Sequence, residues 1–564
     1  MWTQKKSLLG LELCEQHDID EEELVETWTA FSAMHLGYTA PTVVTLQRME
    51  KEFLLKKPGQ GRTSTASNNR PSPSQADSQK KGNGAKSTKN LPLPSGYTTP
   101  QRTKPGLHDV ETSPTYFSPA SYSPAIITPS RKPAPEASGS GKVLCELGAT
   151  SDVDWNGTGS ARVTQLPTGC EVLASTQPYM YEPLHVSRAV LCDRTEQFGN
   201  RIVTKNKLPD VTPLNEPAAE EVMVVGRVAC DAEDSKLTAS SVVLVGATER
   251  EEVSVSLQKL PSYSLFTGQV VAFKTLNQSG KQLVPTELYS SVFPPEPEQP
   301  ISLTGQGPLQ IVVASGPFTH SDAMTYEPLH ALITYVKLHK PQLLILIGPF
   351  IEDGHQSVQN GILDSTFESF FYNLLEEMLQ NLEGLKVHVV LVASEKDAHH
   401  HKVYPTPPYT LPPTYKKSAT VTLTMASDPC LLSVDGFVLG ITSTDVLMHL
   451  GRCEVASQGT DRLGRLASHV LHQATFYPVY PPAPQLSLQL ELWEKYAQLP
   501  VKPHILILPS DLRSFLKEVE GTIIVNPERL AKGVGSGSFA RFEVHQPSTE
   551  TPFPKCVNAQ VMKI

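Results

Sequence analysis

Long apolar runs are missing from this sequence. No stretch of about 18 apolar residues occurs in it, so it offers no candidate for a membrane-spanning helix. The opening MWTQKKSLLGLELCEQHD is too acidic, and its apolar stretch too short, for a secretory signal, which points to a cytosolic or nuclear protein. Cysteine is sparse: Cys14, Cys145, Cys170, Cys192, Cys230, Cys430, Cys453 and Cys556 are scattered and form no CxxC pair. Neither metal-ligand spacing nor a disulfide framework can be built from them, and reduced, mostly buried thiols are expected. Positive charge is also scarce. The net charge is −10, and because Lys56 to Lys142 holds 13 Lys/Arg against 4 Asp/Glu, a local +9, the remainder carries −19. Affinity for a phosphate backbone comes mainly from displaced counterions, so folded domains this acidic are poor autonomous binders of nucleic acid.

What is present is ample. A chain of 564 residues suggests roughly three domains plus linkers. Residues 1–57 are helical in pattern, with Leu24, Val25, Trp28 and Phe31 on one face and Val43, Val44, Leu46, Met49, Phe53 and Leu54 outlining a second helix. They read as a small helical docking domain. Residues 58–142 are rich in Ser, Thr, Pro, Gly, Asn and Lys, cannot bury enough apolar surface to offset their ordering entropy, and are expected to be a disordered linker. Ser72, Thr99, Ser113, Ser118, Ser123 and Thr128 each precede a proline there, and Thr99 and Thr128 also have an arginine two places beyond it. That longer pattern is the one cyclin-dependent kinases prefer, so these positions are the phosphorylation candidates.

Residues 143–219 read as an irregular arm packed on the following domain, with a helix around Val186 to Phe198. From Glu221 the apolar period becomes two. VMVVGRVAC, SVVLVG, VSVSL, QVVAFKTLN and KQLVPTELY are five short β runs within 220–295, the number an OB-type barrel needs. A single-strand reader wants exposed aromatics among basic residues on its second and third strands. Valines and serines stand there with Glu249, Glu251 and Glu252 nearby, which favours a structural or protein-binding barrel.

Residues 296–564 read as an α/β domain centred on Ile311 to Asp353, where two buried strands flank a helix carrying Leu329, Leu332, Ile333 and Val336. Further strands are predicted at 387–393, 421–425, 431–434, 437–441, 504–508 and 522–525, and helices at 367–382, 445–450 and 461–473. Two packed sheets flanked by helices follow. Calcineurin-like phosphoesterases deliver metal ligands in this order of elements, using Asp-x-His, Gly-Asp and Gly-Asn-His at successive strand ends. Those places here read Ala314-Ser315-Gly316-Pro317, Gly348-Pro349 and Val392-Ala393-Ser394-Glu395. Of these residues only Glu395 can ligate a hard cation. Asp322, Asp353 and Asp397 sit on separate loops. The tract Asp397, His399, His400, His401 precedes VYPTPP and reads as a solvated loop, while His355, His449, His469 and His472 read as surface or capping residues. Ser394, Ser443 and Ser510 lack a Gly-x-Ser-x-Gly elbow, which argues against a hydrolase triad.

The runs SYSLFTGQVVAF, GPFTHSDAMTYEPL, LIGPFIED, HHHKVYPTPPY, VLGITSTDVLMHL, RLASHVLHQATFYPVYPP, YAQLPVKPHILILPSDLRSF and IIVNPERLAKGVGSGSFAR resemble the B-subunit family of DNA polymerase alpha. The resemblance covers nearly everything from residue 143 onward. It implies a multidomain α+β protein: a helical N-terminal domain, a linker, an OB barrel and a phosphoesterase-type α/β domain without its metal ligands. It further implies a nuclear, non-catalytic replication subunit with no cofactor, not a homo-oligomer. Its expected partner is the C-terminal zinc-binding region of the catalytic subunit, with primase joined indirectly and DNA contact indirect or weak. Two departures stand out: the helical domain is about one helix short, and Glu528 stands where the family has glycine. The alternatives are an OB-containing single-strand binder and an active metallophosphoesterase.

Overall fold

In the structure, a computed structural model, the described residues are 141–564 apart from 149–154, 156–160, 170, 232–235, 249–250, 306, 413–414, 416–419, 458, 460 and 549–550. The helical domain expected at 1–57 lies outside them, as does the linker expected at 58–142 but for Gly141 and Lys142. The described chain opens with strands β1 (Val143–Leu147) and β2 (Val163–Leu166) and helix α1 (Leu184–Asn206). The period-two runs then form β3 (Val222–Cys230), β4 (Val242–Val245), β5 (Glu252–Val255), β6 (Val270–Leu276) and β7 (Gln282–Tyr289). These close into a barrel in the order β3-β4-β5-β7-β6. Alternate residues point inward, so Val224, Val228, Leu244, Val253, Val255, Val271, Phe273 and Leu283 meet in one core.

The α/β part follows as β8 (Leu309–Ser315), α2 (Glu327–His339), β9 (Leu343–Ile347), α3 (Phe367–Leu382), β10 (His388–Val392), β11 (Thr422–Ala426), β12 (Cys430–Val434) and β13 (Phe437–Ile441). Helices α4 (Val446–Cys453), α5 (Arg462–His472) and α6 (Leu490–Tyr496) come next, then β14 (Ile505–Ile507), β15 (Phe515–Val519), β16 (Thr522–Asn526), β17 (Ser538–Val544) and β18 (Val557–Lys563). One sheet runs β1-β18-β17-β8-β9-β10-β11 and the other β15-β16-β14-β13-β12-β2. The continuous apolar strands are buried on both faces. Val312, Leu344, Leu346, Val389 and Leu391 face Leu329, Leu332, Val336, Phe371 and Leu375 of α2 and α3. Ile311, Val313, Ile345, Ile347 and Val390 face Leu432, Leu439, Ile505 and Ile523 of the second sheet. The outer face of that sheet packs on α4, α5 and α6 through Leu450, Leu466, Val470 and Trp493. Each such side chain contributes about 1.5–3 kcal/mol by leaving water.

The stretch 143–219 is the expected arm only in part. β1 pairs antiparallel with β18, and β2 pairs antiparallel with β12, so the two strands complete opposite sheets. α1 and the segment after it do lie on the barrel: Phe198 and Ile202 pack against Met223, Val270 and Ala272, Leu214 is buried in the barrel core, and Asn277 Nδ2 donates to the Leu214 carbonyl at 2.8 Å. Both strands are half-exposed edges, so their sequence lacks the apolar signal of buried strands. Of the described cysteines, Cys430 and Cys556 are buried and the other four are half-buried, all as free thiols.

Candidate functional site at the carboxyl edge of the parallel strands

Strands β8, β9 and β10 run parallel and in register, so Ser315, Ile347 and Val392 end level with one another. The backbone ladder continues one residue further: Gly316 N–H donates to the Ile347 carbonyl at 2.7 Å and Gly348 N–H to that of Val392 at 3.0 Å. Pro317 and Pro349 follow, each after a cis peptide bond, and neither offers an N–H. The two glycines are needed because the corners touch. A Cβ on Gly316 would overlap the Pro349 carbonyl oxygen, and one on Gly348 would strike the Tyr409 hydroxyl, the Asp397 carboxylate and the Ser394 side chain.

Rings fill the space beyond these corners. Phe318 stacks on Phe350 with centroids 4.7 Å apart, and Phe350 meets Phe371 at 5.6 Å and Tyr409 at 5.8 Å. His399 stacks on Phe371 at 4.0 Å. Asp397 sits beneath them, fully buried. Its Oδ1 accepts from the backbone N–H groups of Phe350 and Ile351, both at 2.7 Å, and its Oδ2 accepts from the Tyr409 hydroxyl. Burial pushes the Asp397 carboxyl up to about 7, against the pull of those three donors. His399 Nδ1 lies 3.6 Å from Asp397 Oδ1, and neither ring nitrogen has a hydrogen-bond partner. Burial holds that imidazole neutral, down at about 3. His400 Nε2 meets the Pro407 carbonyl at 2.6 Å and is likewise pushed down by burial, to about 4.

A second polar system ties the two sheets together. Arg529 is buried, and its Nη1 donates to Ser315 Oγ at 3.0 Å, at the end of β8. Its Nε donates to Asp511 Oδ1 at 3.2 Å, and Nη2 lies 3.8 Å from Asp445 Oδ2, at the N-terminus of α4. Asp428 is enclosed nearby, accepting from Thr442 Oγ1 and Ser443 Oγ at 2.6 Å, Ser443 N–H at 2.9 Å and Thr444 Oγ1 at 3.0 Å. Asn526 holds the turn that delivers Arg529, accepting from the N–H groups of Ser510 and Glu528 at 2.9 Å each. Glu528 has φ 61°, in the left-handed region, the backbone that favours the glycine expected there. Its carboxylate accepts from Ser514 N–H and pairs with Lys532, both at 2.6 Å.

Several expectations need correction. The tract of Asp397 and His399 to His401 is a solvated loop only at its end: His401 is exposed, but Asp397, Val403 and Tyr404 are wholly buried, and the side chain of His399 is 5 % exposed. Its prolines mark irregular backbone, but buried partners satisfy that backbone from within. His355 does cap a short helix, accepting from Ser357 N–H at 3.1 Å, yet it is buried. His469 is buried against Glu454 and Ser264, while His449 meets the Tyr477 hydroxyl at 3.0 Å and His472 packs edge-on to Phe293. Glu395 is buried, and burial pushes its carboxyl up to about 7. Ser394 accepts from Lys396 N–H at 3.3 Å, and Asp353 pairs with Lys402 at 2.6 Å. Among the described residues, no three His, Cys, Asp or Glu side chains are grouped to share one ion. Thr99, Ser113, Ser118, Ser123 and Thr128 lie outside those residues. Sequence reading passed over Arg529, Tyr409 and Asp428. For Arg529 the sequence offered only an ordinary Glu-Arg pair, in Asn526-Pro-Glu-Arg-Leu-Ala, which carries no signal of burial.

Comparison with known families places this geometry. The model of the DNA polymerase alpha/epsilon B-subunit family matches residues 311–517, that of the OB domain of the DNA polymerase alpha B-subunit matches 188–291, and that of the N-terminal region of the DNA polymerase alpha B-subunit matches 10–56. The chain is 37 % identical over 434 residues to the DNA polymerase alpha B-subunit of Mus musculus, covering 75 % of this chain and 71 % of the relative. It is 38 % identical over 440 residues to that of Rattus norvegicus, with the same coverage. With that of Drosophila melanogaster it shares 41 % identity over 293 residues, 52 % of this chain and 46 % of the relative.

Proposed function

The chain belongs to the B-subunit family of DNA polymerase alpha, and from that premise we propose that it is the non-catalytic accessory and scaffold subunit of a polymerase alpha–primase assembly. The observation that carries this reading is the reach of the match, which takes in both the barrel and the α/β part. In this reading the chain binds the C-terminal zinc-binding region of the catalytic subunit through a large, stable contact, primase joins through that subunit, and the assembly works in the nucleus. Residues 143–564 should co-purify with that C-terminal region as the full chain does. Failure of the shorter chain alone would move the contact into 1–142, and failure of both would overturn the partner.

We infer further that the α/β part is a phosphoesterase-type fold without the reaction. A two-metal hydrolytic centre needs several carboxylate and imidazole groups directly on ions about 3.5–4 Å apart. At the corresponding strand ends stand Gly316, Pro317, Gly348, Pro349 and Ser394, and the one acid among them, Glu395, is buried. Arg529 and the ring stack take up the room and the charge that such ions would claim. The purified chain should hold no stoichiometric transition metal and should not hydrolyse phosphodiesters when Mn²⁺ is supplied. Activity that Asp353→Ala abolishes would revive the enzyme. Free single-strand binding ranks lower, since β4 and β5 carry no aromatic residue. Thr99 and Thr128, then Ser113, Ser118 and Ser123, are the proposed phosphorylation sites. Phosphopeptide mapping across the cell cycle tests them, and unmodified Thr99 and Thr128 at every stage would remove the proposal.

A further inference from the structure

Between α1, the barrel and the segment from Gln473 to Trp493 lies a cleft that plays no part in the network at the strand ends. Its inner part is a cavity of about 20 Å³ lined by Arg194, Arg227, Gln473, Tyr480 and Trp493 among others. Its outer part, about 160 Å³, is lined by Arg188, Cys192, Thr195, Arg227, Glu251 and Glu252 among others. Leu191 and Arg227 border both cavities. The inner lining holds two guanidinium groups and no carboxylate. Arg194 donates to the Gln473 carbonyl and lies 4.5 Å from the Phe198 ring and 5.7 Å from that of Trp493. Arg227 lies 5.2 Å from the Tyr480 ring, and among the described residues no ion pair or hydrogen bond engages its guanidinium. Burial lowers both groups, Arg194 to about 9. Arg194 has the Gln473 carbonyl and the field of Glu494, whereas the half-buried Arg227 has a ring face against it, with Glu251 and Glu252 lining the outer cavity, so Arg227 keeps its capacity for a hydrogen-bonded anion.

We propose that this cleft receives an acidic side chain from a polypeptide partner whose neighbouring residues are apolar. The size decides the first half. About 20 Å³ admits a group the size of a water molecule or a carboxylate, and no nucleotide base, and a planar guanidinium fork matches a carboxylate in two parallel hydrogen bonds. The surroundings decide the second half. Met180, Tyr181 and Leu184 are 57 %, 83 % and 89 % exposed. Met180 N–H donates to Gln489 Oε1 at 2.9 Å, between the lining residues Leu488 and Leu490. Leu184 shares one face of α1 with Arg188, Leu191, Cys192 and Thr195 by helical spacing. The apolar strip thus borders the charged cleft. Glu251 and Glu252 at the outer mouth repel a polynucleotide backbone, with a charge on every residue, more strongly than a single carboxylate, which Arg188 and Arg227 on the same lining attract.

The test uses the full chain and a short, capped, fluorescent peptide of alternating leucine and glutamate. Binding should weaken about 30-fold with Arg227→Gln, and similarly when glutamine replaces glutamate in the peptide, as expected for removal of one member of a desolvated charge pair. Leu184→Asp should weaken it as well, and the melting temperature of Arg227→Gln should not fall below that of the parent chain. No binding by the parent chain, equal binding of the glutamine peptide, or displacement of the peptide by an oligothymidylate would each overturn the proposal. So would a lowered melting temperature for Arg227→Gln, which would make the arginine a structural member. Co-purification with the polymerase catalytic subunit is scored on the same variants. Loss of peptide with the assembly intact, and the reverse, then separate this inference from the proposed function, on which it does not depend.

Discussion

Arg529 is buried and ringed by partners, whereas Arg227 is half-buried with the Tyr480 ring against it. Arg529 joins Ser315, Asp511 and Asp445 and locks the ends of two sheets. Arg227 lines a cleft with Arg194, and the inner part of that cleft holds no carboxylate. The contrast teaches where to look on a fold of this kind. At the carboxyl edge of the parallel strands, where ligand chemistry is usually sought, the buried arginine is met by carboxylates, whereas the guanidinium of Arg227 beside the barrel has no ion pair or hydrogen bond among the described residues.

The sharpest way to break that comparison is to remove each arginine. Arg529→Ala should cost about 3–5 kcal/mol in denaturant unfolding, because buried Asp445 and half-buried Asp511 would be left unpaired. Arg227→Ala should stay within about 1 kcal/mol of the parent. Equal losses would erase the distinction. Asp397→Ala should cost about 3 kcal/mol, since the N–H groups of Phe350 and Ile351 would lose their acceptor. Hydrogen exchange at those two amides should accelerate, and Asp397→Asn, which keeps an oxygen, should lose less.

Acidity sharpens the comparison next. His399, His400, His449, His472 and His504 are held by burial at about 3 to 4. Their folded values lie below the unfolded one, so the stability they contribute is present above about pH 6.5 and drains away as pH falls toward 4. Asp397 and Glu395 are raised to about 7, so their contribution has the opposite sign: present at low pH and lost as pH rises through about 7. The histidines outnumber the acids, and the melting temperature should fall by roughly 5 °C between pH 6.5 and 5. Asp397→Asn removes one term that opposes the histidines between about pH 4 and 7, so it should steepen the fall between pH 6.5 and 5, and an unchanged slope there would deny the buried acid its role. The smallest expected effect is at Lys207, the residue that ends α1 with φ 52°. Lys207→Gly should stabilise the fold by about 0.5–1 kcal/mol by removing a Cβ from a left-handed position.

Much of this molecule was legible in its sequence because the strongest patterns coincide with the deepest burial. The helix at 367–382 and the strand at 437–441 stand where their periodicity put them, and the five barrel strands followed their alternation to within a few residues. β1 and β2 were not legible, since an edge strand draws its order from a partner far along the chain. The Gly-Pro corners at 316 and 348 were visible as residues that cannot ligate. What fills the space was not visible, because Phe318, Phe350, Phe371 and Tyr409 converge from separate segments. The histidine tract misled for a related reason. Its prolines report backbone geometry correctly but say nothing of what covers it, and here Tyr179 reaches across 222 residues to His401.

The pairing of β1 with β18 also sets a timetable. Glu146 and Gln560, partners across that ladder, are 414 residues apart. A ribosome adding about 5–20 residues each second needs roughly 20–80 seconds to travel that distance. Throughout that interval β1 has no neighbour, and β17, the strand beside β8, is itself synthesised late. The nascent chain therefore carries the open, apolar margin of its central sheet for most of its synthesis, and this margin is where a chaperone would be expected to hold it.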